Sequence, residues 1–365
     1  MADLDAIRRD LPALASLAYL NTGTEGPLPA AAAQAMREAV DEDERRGRIS
    51  GKRFEKMELQ LAECRALMGG MVGVGPTQVA LTGGTVDGLR AVLDRLGLAK
   101  GDRVVTTDIE HPAALAPLER LAARRGVQLD RIAISTAATD ADIVAAFGRA
   151  LAPGARLVMV SHVAYSTGRV LPVAAIAEAA REAGALVLVD GAQAVGAIRV
   201  DFARTGADFY AFPGQKWLLG PEGAGALAVA PRSLASICDD VAELECGTAS
   251  KPVWAGMRAA LAWRRGLAGE AGLSGLIAAN AARLRGRLAE IDGIELVTPP
   301  AAAGLLTFGV RGLSARELVA ALGARRLAVR DVPGTGWVRV SCGFFNSAAE
   351  LDAVAEAARQ RGAAA

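Results

Sequence analysis

The sequence predicts an α/β fold built on a mostly parallel β-sheet, and three observations support this prediction. LVMVSHV (157–163), ALVLVDGA (185–192) and DFYAF (208–212) are short apolar runs with the length of single strands. LPVAAIAEAAREAG, between the first two runs, has the apolar spacing and the closing glycine of a helix. Continuous apolar strands joined by helices are typical of a parallel sheet that is covered on both faces.

The same alternation of strand and helix extends upstream of these runs. DRVVTTDIEH (102–111) reads as a strand followed by a turn, and PAALAPLERLAARRG (112–126) as a helix with Pro112 in its first turn. From about Trp254 the pattern changes to a long helix, a strand and further short elements, which predicts a smaller α+β domain. We therefore place a large domain at 25–256 and a small domain at 257–365, after an N-terminal arm over 1–24.

The composition of the chain is typical of a globular protein whose partner is neither a nucleic acid nor a membrane. Hydrophobic residues make up 52% and 41 glycines supply turns, whereas the net charge is only +1 and no long basic stripe is present. No apolar stretch is long enough to span a bilayer, and MADLDAIRRDLPAL lacks the apolar core of a signal peptide. We therefore expect a cytoplasmic protein.

The cysteines and histidines are too few and too scattered for a disulfide framework or a metal site. The four cysteines form no CxxC pair, which suits a reducing compartment, and two histidines do not suffice for a His-rich metal centre. These residues are Cys64, Cys238, Cys246, Cys342, His111 and His162. The sequence therefore predicts no metal.

Polar side chains follow several of the predicted strands, at the positions where ligands of such sheets bind. They are His111, His162, Asp190, Gln193 and Lys216. Lys216 is one of only five lysines, and it stands next to the apolar Trp217 and Leu218. Burial among apolar side chains lowers the pKa of an amine and makes it a nucleophile. The alternative is a lysine that extends its charged end from a strand end into solvent.

The chain resembles the pyridoxal 5'-phosphate (PLP)-dependent class V aminotransferase and cysteine desulfurase superfamily, from YLNTGTEGPLP near its start to VRVSCGFFNSAAELD near its end. The most specific part is VLVDGAQAVG followed by DFYAFPGQKW, in which Lys216 follows Asp190 by 26 positions. The resemblance implies PLP as the cofactor and PLP fold type I. In that fold a large domain has a mostly parallel, seven-stranded sheet flanked by helices, and a smaller α+β domain follows it.

The resemblance assigns roles to the residues at the strand ends, with Lys216, Asp190 and His111 as the catalytic ones. The Lys216 amine would form a Schiff base with the cofactor's aldehyde, and the Asp190 carboxylate would keep the pyridine nitrogen protonated. His111 would stack on the ring, Gln193 would hydrogen-bond the ring oxygen, and His162 would lie close to the cofactor. The alternatives are a turn residue for Asp190, a helix cap or surface residue for His111 and a structural histidine for His162.

Backbone donors for the cofactor's phosphate are expected where TGGTVDGLRAVLDRLG begins a helix. Gly84 and Thr85 lie at that turn, where the helix dipole favours an anion, although an ordinary glycine turn with a threonine cap is the alternative. Gln215 stands where the desulfurases have a histidine, and it can donate through its amide. ELECGTASKP resembles a segment that crosses a dimer interface. Gly247 and Thr248 would then reach the neighbouring subunit's phosphate in a homodimer with shared active sites, unless the segment is a plain interdomain loop.

The substrate side of the site departs from the desulfurases of the superfamily. Arg339, in WVRVS, resembles the arginine that binds the substrate's α-carboxylate, although an exposed arginine on a half-solvated strand is the alternative. Tyr165 stands where the desulfurases have an asparagine near the ring, and we expect it on the substrate side. The desulfurases' nucleophilic cysteine is missing from LAVRDVPGTGW (327–337), and Cys342 does not match its position. A persulfide mechanism on the enzyme is therefore disfavoured.

The segments YLN…GPLP and GQKWLLGPEG most resemble the cysteine/cystine C–S lyases and the isopenicillin-N-epimerase-like branch of the superfamily. This resemblance predicts β-elimination from cysteine, cystine or a cysteine S-conjugate, which yields pyruvate, ammonia and a sulfur product. An aminotransferase and an amino-acid epimerase or racemase are the alternatives. A cysteine desulfurase and a PLP-binding protein without turnover are further ones. In each enzymatic alternative the predicted partner is a small-molecule amino-acid substrate.

Overall fold

The computed structural model of the chain describes residues 3–245, 247–300 and 303–362. The helices in these ranges are α1 (Leu4–Arg9), α2 (Ala30–Arg46), α3 (Gly51–Val72), α4 (Thr85–Arg95), α5 (Pro112–Arg125), α6 (Asp140–Leu151), α7 (Val173–Glu182), α8 (Phe202–Thr205), α9 (Lys251–Arg265), α10 (Gly269–Ala289), α11 (Ala315–Ala324) and α12 (Ala348–Gly362). The strands are β1 (Ala18–Tyr19), β2 (Val79–Thr82), β3 (Arg103–Thr107), β4 (Gln128–Ile132), β5 (Leu157–Ser161), β6 (Leu186–Asp190), β7 (Phe209–Pro213), β8 (Gly225–Val229), β9 (Ile294–Leu296), β10 (Leu305–Val310), β11 (Leu327–Ala328), β12 (Arg330–Asp331) and β13 (Val338–Ser341).

Seven strands form the large sheet, in the order β2, β8, β7, β6, β5, β3, β4. Only β8 runs antiparallel to its neighbours, and the other pairs are parallel. The predicted α/β class with a mostly parallel sheet is therefore confirmed. Because β2, β3, β5, β6 and β7 run in one direction, their carboxyl ends meet at one edge, and Ser161 lies opposite Asp190 in the register of β5 and β6.

Both faces of this sheet are apolar, which explains why its strands read as continuous apolar runs. Alternate side chains of a strand point to opposite faces. Leu157 and Met159 of β5 pack with α4 and α5 in one core, whereas Val158 and Val160 pack with α3, α6 and α7 in another. Among the described residues, no helix is both long and apolar enough to cross a membrane.

A second, smaller sheet has four antiparallel strands in the order β12, β13, β10, β9. α10, α11 and α12 cover it around a separate apolar core, and β1 near the N-terminus pairs in parallel with β11. This part has the predicted α+β character. The domain limits at 24 and 256 stay predictions, and the second of them falls within α9.

Candidate active site

A cavity of about 390 Å³ opens at the carboxyl edge of the large sheet and is also lined by residues of the smaller sheet. Its volume lies within the range of small-molecule and cofactor sites. Nine of the twelve residues that the sequence analysis singled out line it: Gly84, Thr85, His111, Tyr165, Asp190, Gln193, Gln215, Lys216 and Arg339. His162, Gly247 and Thr248 lie elsewhere in the structure.

Lys216 lies at the wall of the cavity, three residues after the end of β7. Burial lowers the pKa of its amine to about 8, although the nearby Asp190 acts in the opposite direction and Arg339 adds to the lowering. The backbone around it is held by the Gly26 N–H, which donates to the Gln215 carbonyl at 2.7 Å. An added Cβ at Gly26 would lie 2.3 Å from the Lys216 carbonyl oxygen, so this close approach requires glycine. The backbone at Lys216 is therefore held in place, and its amine exists partly in its neutral, nucleophilic form near neutral pH.

Asp190 is the last residue of β6, and its side chain is buried beside the cavity. One carboxylate oxygen accepts the Ala192 N–H at 2.8 Å. Burial raises the pKa of this carboxyl, while Lys216 and the Ala192 hydrogen bond lower it. An ionised carboxylate at this buried position is stabilised by a cationic partner, because an isolated buried charge is costly.

His111 lines the cavity and is also the N-cap of α5. The predicted position in the site and the alternative of a helix cap are therefore compatible. Its Nδ1 accepts the Ala113 N–H at 3.1 Å, which requires that nitrogen to be unprotonated. Burial, Lys216 and Arg339 lower the pKa of the imidazole to about 4. The ring meets that of Tyr165 edge to face, with 4.7 Å between centroids. His111 therefore presents a neutral aromatic ring to the cavity.

Gln193 is held by hydrogen bonds at both ends of its amide. Its Oε1 accepts the Trp217 indole N–H at 2.9 Å, and its Nε2 donates to the Gly23 carbonyl at 2.7 Å. An amide nitrogen has two N–H groups, so one remains for a ligand. Gln193 thereby links the N-terminal segment around Gly23 to Trp217, the residue that follows Lys216.

His162 does not line the cavity. Its Nδ1 lies 2.6 Å from the Tyr210 hydroxyl, within the apolar layer under the sheet, and burial lowers the pKa of its ring to about 4. Ser161, one position earlier, lines the cavity instead. The role of His162 near the cofactor stays a prediction that this geometry does not support.

The end of the cavity next to α4 fits an anionic group such as a phosphate. Gly84 is the N-cap of α4, with φ +150°, and it offers no side chain to the free N–H groups of the first turn. The buried Thr85 Oγ1 has no hydrogen-bond partner among the described residues. Gly225 lets β8 approach the turn, because an added Cβ there would lie 2.6 Å from the Gly84 Cα. Free donors at a helix start favour an anion.

Arg339 and Arg330 both line the cavity and are register partners on the neighbouring strands β13 and β12. The Arg339 Nη2 and the Arg330 Nη1 both donate to the Thr24 Oγ1, at 3.1 and 3.2 Å. Burial and the charge of Arg330 lower the pKa of Arg339 to about 10. The Arg339 Nε is buried without a partner in the described part of the chain. This unused donor on a planar fork fits a carboxylate.

Sequence reasoning missed Arg330, Thr24, Ser161 and Glu110. Glu110 is buried beneath the cavity, where it accepts hydrogen bonds from the Thr107 hydroxyl, at 2.6 Å, and from the Ser161 hydroxyl. Burial raises the pKa of its carboxyl to about 7. Glu110 carries a signal in the sequence, since it directly precedes His111 at a strand end. Arg330 carries one too, since it stands in LAVRDVPGTGW, nine positions before Arg339.

Gly247 and Thr248 are exposed and line a second cavity of about 370 Å³, together with Phe54. Gly83 and Asp87, next to the expected phosphate site, line both cavities. The role of Gly247 and Thr248 towards a neighbouring subunit stays a prediction. Cys246, in the same segment, lies outside the described residues.

None of the described cysteines lines the main cavity. Cys64 and Cys342 are buried, and burial raises the pKa of each thiol to about 12. Cys238 packs near α4, and burial raises its pKa as well. These thiols are poor nucleophiles, because the thiolate is the reactive form.

The pattern that describes the class-V aminotransferases matches residues 19–354. The isopenicillin N epimerase of Amycolatopsis lactamdurans is 30% identical over 93% of this chain and 94% of its own length. A probable cysteine desulfurase of Methanothermobacter thermautotrophicus is 27% identical over 96% of both chains.

Two solved structures of C-DES, a cystine C–S lyase, superpose with a TM-score of 0.91 at 27% identity. One, which covers 95% of this chain and 99% of C-DES, holds the reaction product cysteine persulfide. The other, a variant that covers 96% of this chain and 98% of C-DES, holds glycine covalently linked to the PLP cofactor. The resemblance to PLP fold type I is thus confirmed.

Proposed function

Because the chain belongs to the class-V aminotransferase family, whose cofactor is PLP, we propose that it is a PLP-dependent C–S lyase that cleaves cystine by β-elimination. The coarser statement, a PLP enzyme of the desulfurase and C–S lyase group, follows from family and fold. The choice of cystine rests mainly on one observation, the paired guanidinium groups of Arg330 and Arg339 in the cavity.

The residues of the cavity fit PLP at three points. Lys216 offers an amine of lowered pKa for the aldehyde, and Asp190 offers a buried carboxylate for the ring nitrogen. The first turn of α4, with the unpartnered Thr85 hydroxyl, would hold the phosphate. When bound, the cofactor withdraws electrons from the Cα of an amino acid joined to it.

Lys216 is the proposed acid–base residue of the reaction. Its neutral amine, available because the pKa lies near 8, would accept the proton of the substrate Cα. Asp190 would keep the cofactor's ring nitrogen protonated, since a carboxylate favours a nearby positive charge. His111 stays neutral and would pack its ring against the cofactor without competing for the proton.

Two arginines suit a substrate that has two carboxylates. The Arg339 Nε and Nη edge would bind the carboxylate of the reacting half. Arg330, one strand further out, would bind the carboxylate of the other half. Cystine carries two such groups, whereas cysteine carries one. The Thr24 hydroxyl, which accepts from both arginines, fixes their separation.

The proposed reaction balances without an oxidant. As Lys216 takes the Cα proton, the electron pair of that bond forms a Cα=Cβ bond, and the Cβ–S bond breaks with its electrons on sulfur. One cystine and one water give one pyruvate, one ammonia and one cysteine persulfide. Cysteine persulfide is the product that the C-DES structure contains. None of the described cysteines takes part, in keeping with their absence from the cavity lining.

A substrate panel tests the proposal. The purified protein with PLP is incubated with L-cystine, L-cysteine and S-methylcysteine, and pyruvate, persulfide, D-amino acids and amino transfer to a keto acid are measured together. We expect pyruvate and persulfide from cystine in equal amounts. Arg330→Gln should raise the KM for cystine about tenfold, as expected for a lost hydrogen bond to a charged group, and should change the KM for cysteine much less. Release of pyruvate from cystine without formation of cysteine persulfide would contradict the proposal.

Epimerisation is the second candidate, because the isopenicillin N epimerases align over nearly the whole chain. An epimerase would return the Cα proton to the opposite face and release no ammonia. Inversion of an amino acid without pyruvate from any substrate of the panel would favour it. Amino transfer to a keto acid would favour an aminotransferase instead.

A homodimer is the proposed assembly, and the surface around Thr248 supports it. Phe54 and Leu59 are 54% and 68% exposed. Phe54 lines the second cavity, and the exposed Val40 lines a third cavity, which Thr248 also borders. Exposed apolar side chains in one area often mark an interface. The cytoplasmic location expected from the sequence stays a prediction.

A further inference from the structure

Three successive carbonyl groups after β5 are bound by side chains of the second sheet and of the segment that follows β9. The Tyr165 carbonyl accepts from the Arg339 Nη1 at 2.9 Å, the Ser166 carbonyl from the Thr307 hydroxyl at 2.7 Å, and the Thr167 carbonyl from the Thr298 hydroxyl at 2.5 Å. The donors are all buried. We name this set of three hydrogen bonds the carbonyl latch.

The register of the second sheet explains how the latch meets the candidate site. Thr307 of β10 is the cross-strand partner of Arg339 on β13, and Arg330 on β12 is the partner of Arg339 on the other side. These three side chains therefore share one face of the sheet. The Thr298 hydroxyl also accepts the Thr307 N–H at 2.7 Å, so the two threonines support one another.

The loop that receives these hydrogen bonds is itself tightly closed. The Gly168 N–H donates to the Ala164 carbonyl, and the Ala164 N–H donates to the Arg169 carbonyl, both at 2.9 Å. Gly168 has φ +71°, and an added Cβ there would lie 2.5 Å from the Leu305 carbonyl oxygen on β10. The loop and β10 therefore touch through backbone as well as through the latch.

We propose that Thr307 and Thr298 are positioning residues for substrate binding, which act through the Tyr165–Thr167 segment without touching the substrate. By fixing this segment to β10, they hold the Arg339 guanidinium and the Tyr165 ring in one arrangement relative to Lys216. Arg339 uses Nη1 for the latch and keeps its Nε free, so the latch sets which edge of the fork faces the cavity. The inference rests on the proposed function only in requiring an amino-acid substrate, whatever the reaction.

Thr307→Val tests the latch, since valine keeps the shape of threonine and removes the hydroxyl. In the PLP-loaded protein we expect the KM and the spectroscopic dissociation constant for the amino acid to rise about fivefold, the effect of one net hydrogen bond, with kcat within about twofold. Hydrogen exchange of segment 162–170 in the substrate-free protein should become faster. Thr307→Ser keeps the hydroxyl and should restore the original values.

Thr205→Val is the matched control, because the Thr205 hydroxyl is also buried and donates to a backbone carbonyl at 2.7 Å, on α8 outside the cavity lining. It should lower stability without changing KM. If Thr307→Val does not fold, Thr298→Val and Thr307→Ala test the same segment by the same comparison. An unchanged dissociation constant in the folded latch variants, or an equal rise in Thr205→Val, would overturn the inference. Failure of the unmodified protein to release pyruvate while it still binds the amino acid would count against the lyase alone.

Discussion

Lys216 depends for its chemistry on its surroundings. Burial and the two nearby arginines lower the pKa of its amine to about 8, and Asp190 limits that lowering. Only the neutral amine attacks an aldehyde. The proposed roles of Lys216, as the residue that holds the cofactor and as the base, both follow from this balance.

The rate of PLP uptake by cofactor-free protein should therefore depend on pH. Below about pH 8 the amine is protonated and uptake is slow; the rate should rise as pH passes through about 8 and then level off. Stopped-flow absorbance between about pH 6.5 and 11 measures this. Asp190→Asn should move the midpoint to lower pH, because the carboxylate raises the pKa of Lys216. A midpoint near 10.5, the ordinary lysine value, would contradict the described burial.

At the scale of secondary-structure elements, most of the candidate site is formed by the ends of strands and the start of one helix. β3, β6 and β7 carry His111, Asp190 and Lys216 to one edge because they run in parallel. α4 begins at the same edge with a glycine cap, and the second sheet adds its arginines from the other side.

Thr85→Val tests the assignment of the start of α4 as the phosphate site. The Thr85 hydroxyl makes no hydrogen bond within the described chain, so its loss should leave the melting temperature of the cofactor-free protein unchanged. The PLP dissociation constant should rise about tenfold, because a hydrogen bond to a charged group contributes ~1.5–3 kcal/mol. Fluorescence titration with PLP measures this, and Thr85→Ser should bind as the unmodified protein does. Equal PLP affinity in Thr85→Val would place the phosphate elsewhere.

The residues that could be predicted from the sequence are those fixed by local pattern. Lys216 and Asp190 stand at the ends of apolar runs, and Gly84 stands at a glycine turn before a helix. Arg330 could not be predicted in this way, since its place beside Arg339 depends on the antiparallel register of two short strands.

His162 shows a second limit. Both faces of β5 are apolar, so alternation along the strand gives no sign of which residue at its end faces the cavity. In the structure Ser161 lines the cavity, whereas His162 contacts the Tyr210 hydroxyl. The latch threonines escape sequence reasoning for a related reason, because their partners lie more than 130 positions away along the chain.

At the scale of the whole molecule, the cavity is formed by both sheets, and its expected phosphate end borders a second cavity. Gly83 and Asp87 line both of them, and Thr248 and the exposed Phe54 line the second. In the proposed homodimer a neighbouring chain would cover this surface and complete the phosphate site.

Phe54→Arg should disrupt that assembly. Light scattering should give the mass of a dimer for the unmodified protein and of a single chain for the variant, because a charge would replace an apolar contact in the interface. PLP affinity should fall with the dimer if the neighbouring subunit's Thr248 reaches the phosphate. Arg124→Ala, at an exposed position of α5, is the control and should change neither. An unmodified protein that is active as a single chain would exclude a shared site.

The central claim is that the cavity around Lys216 is where PLP and the amino acid meet. Borohydride reduction of the PLP-loaded protein, followed by proteolysis and peptide mass mapping, tests it most directly. The pyridoxyl group is expected on the peptide that contains Lys216, and Lys216→Ala should carry none. A pyridoxyl group on Lys52, Lys56, Lys100 or Lys251 instead would contradict the claim.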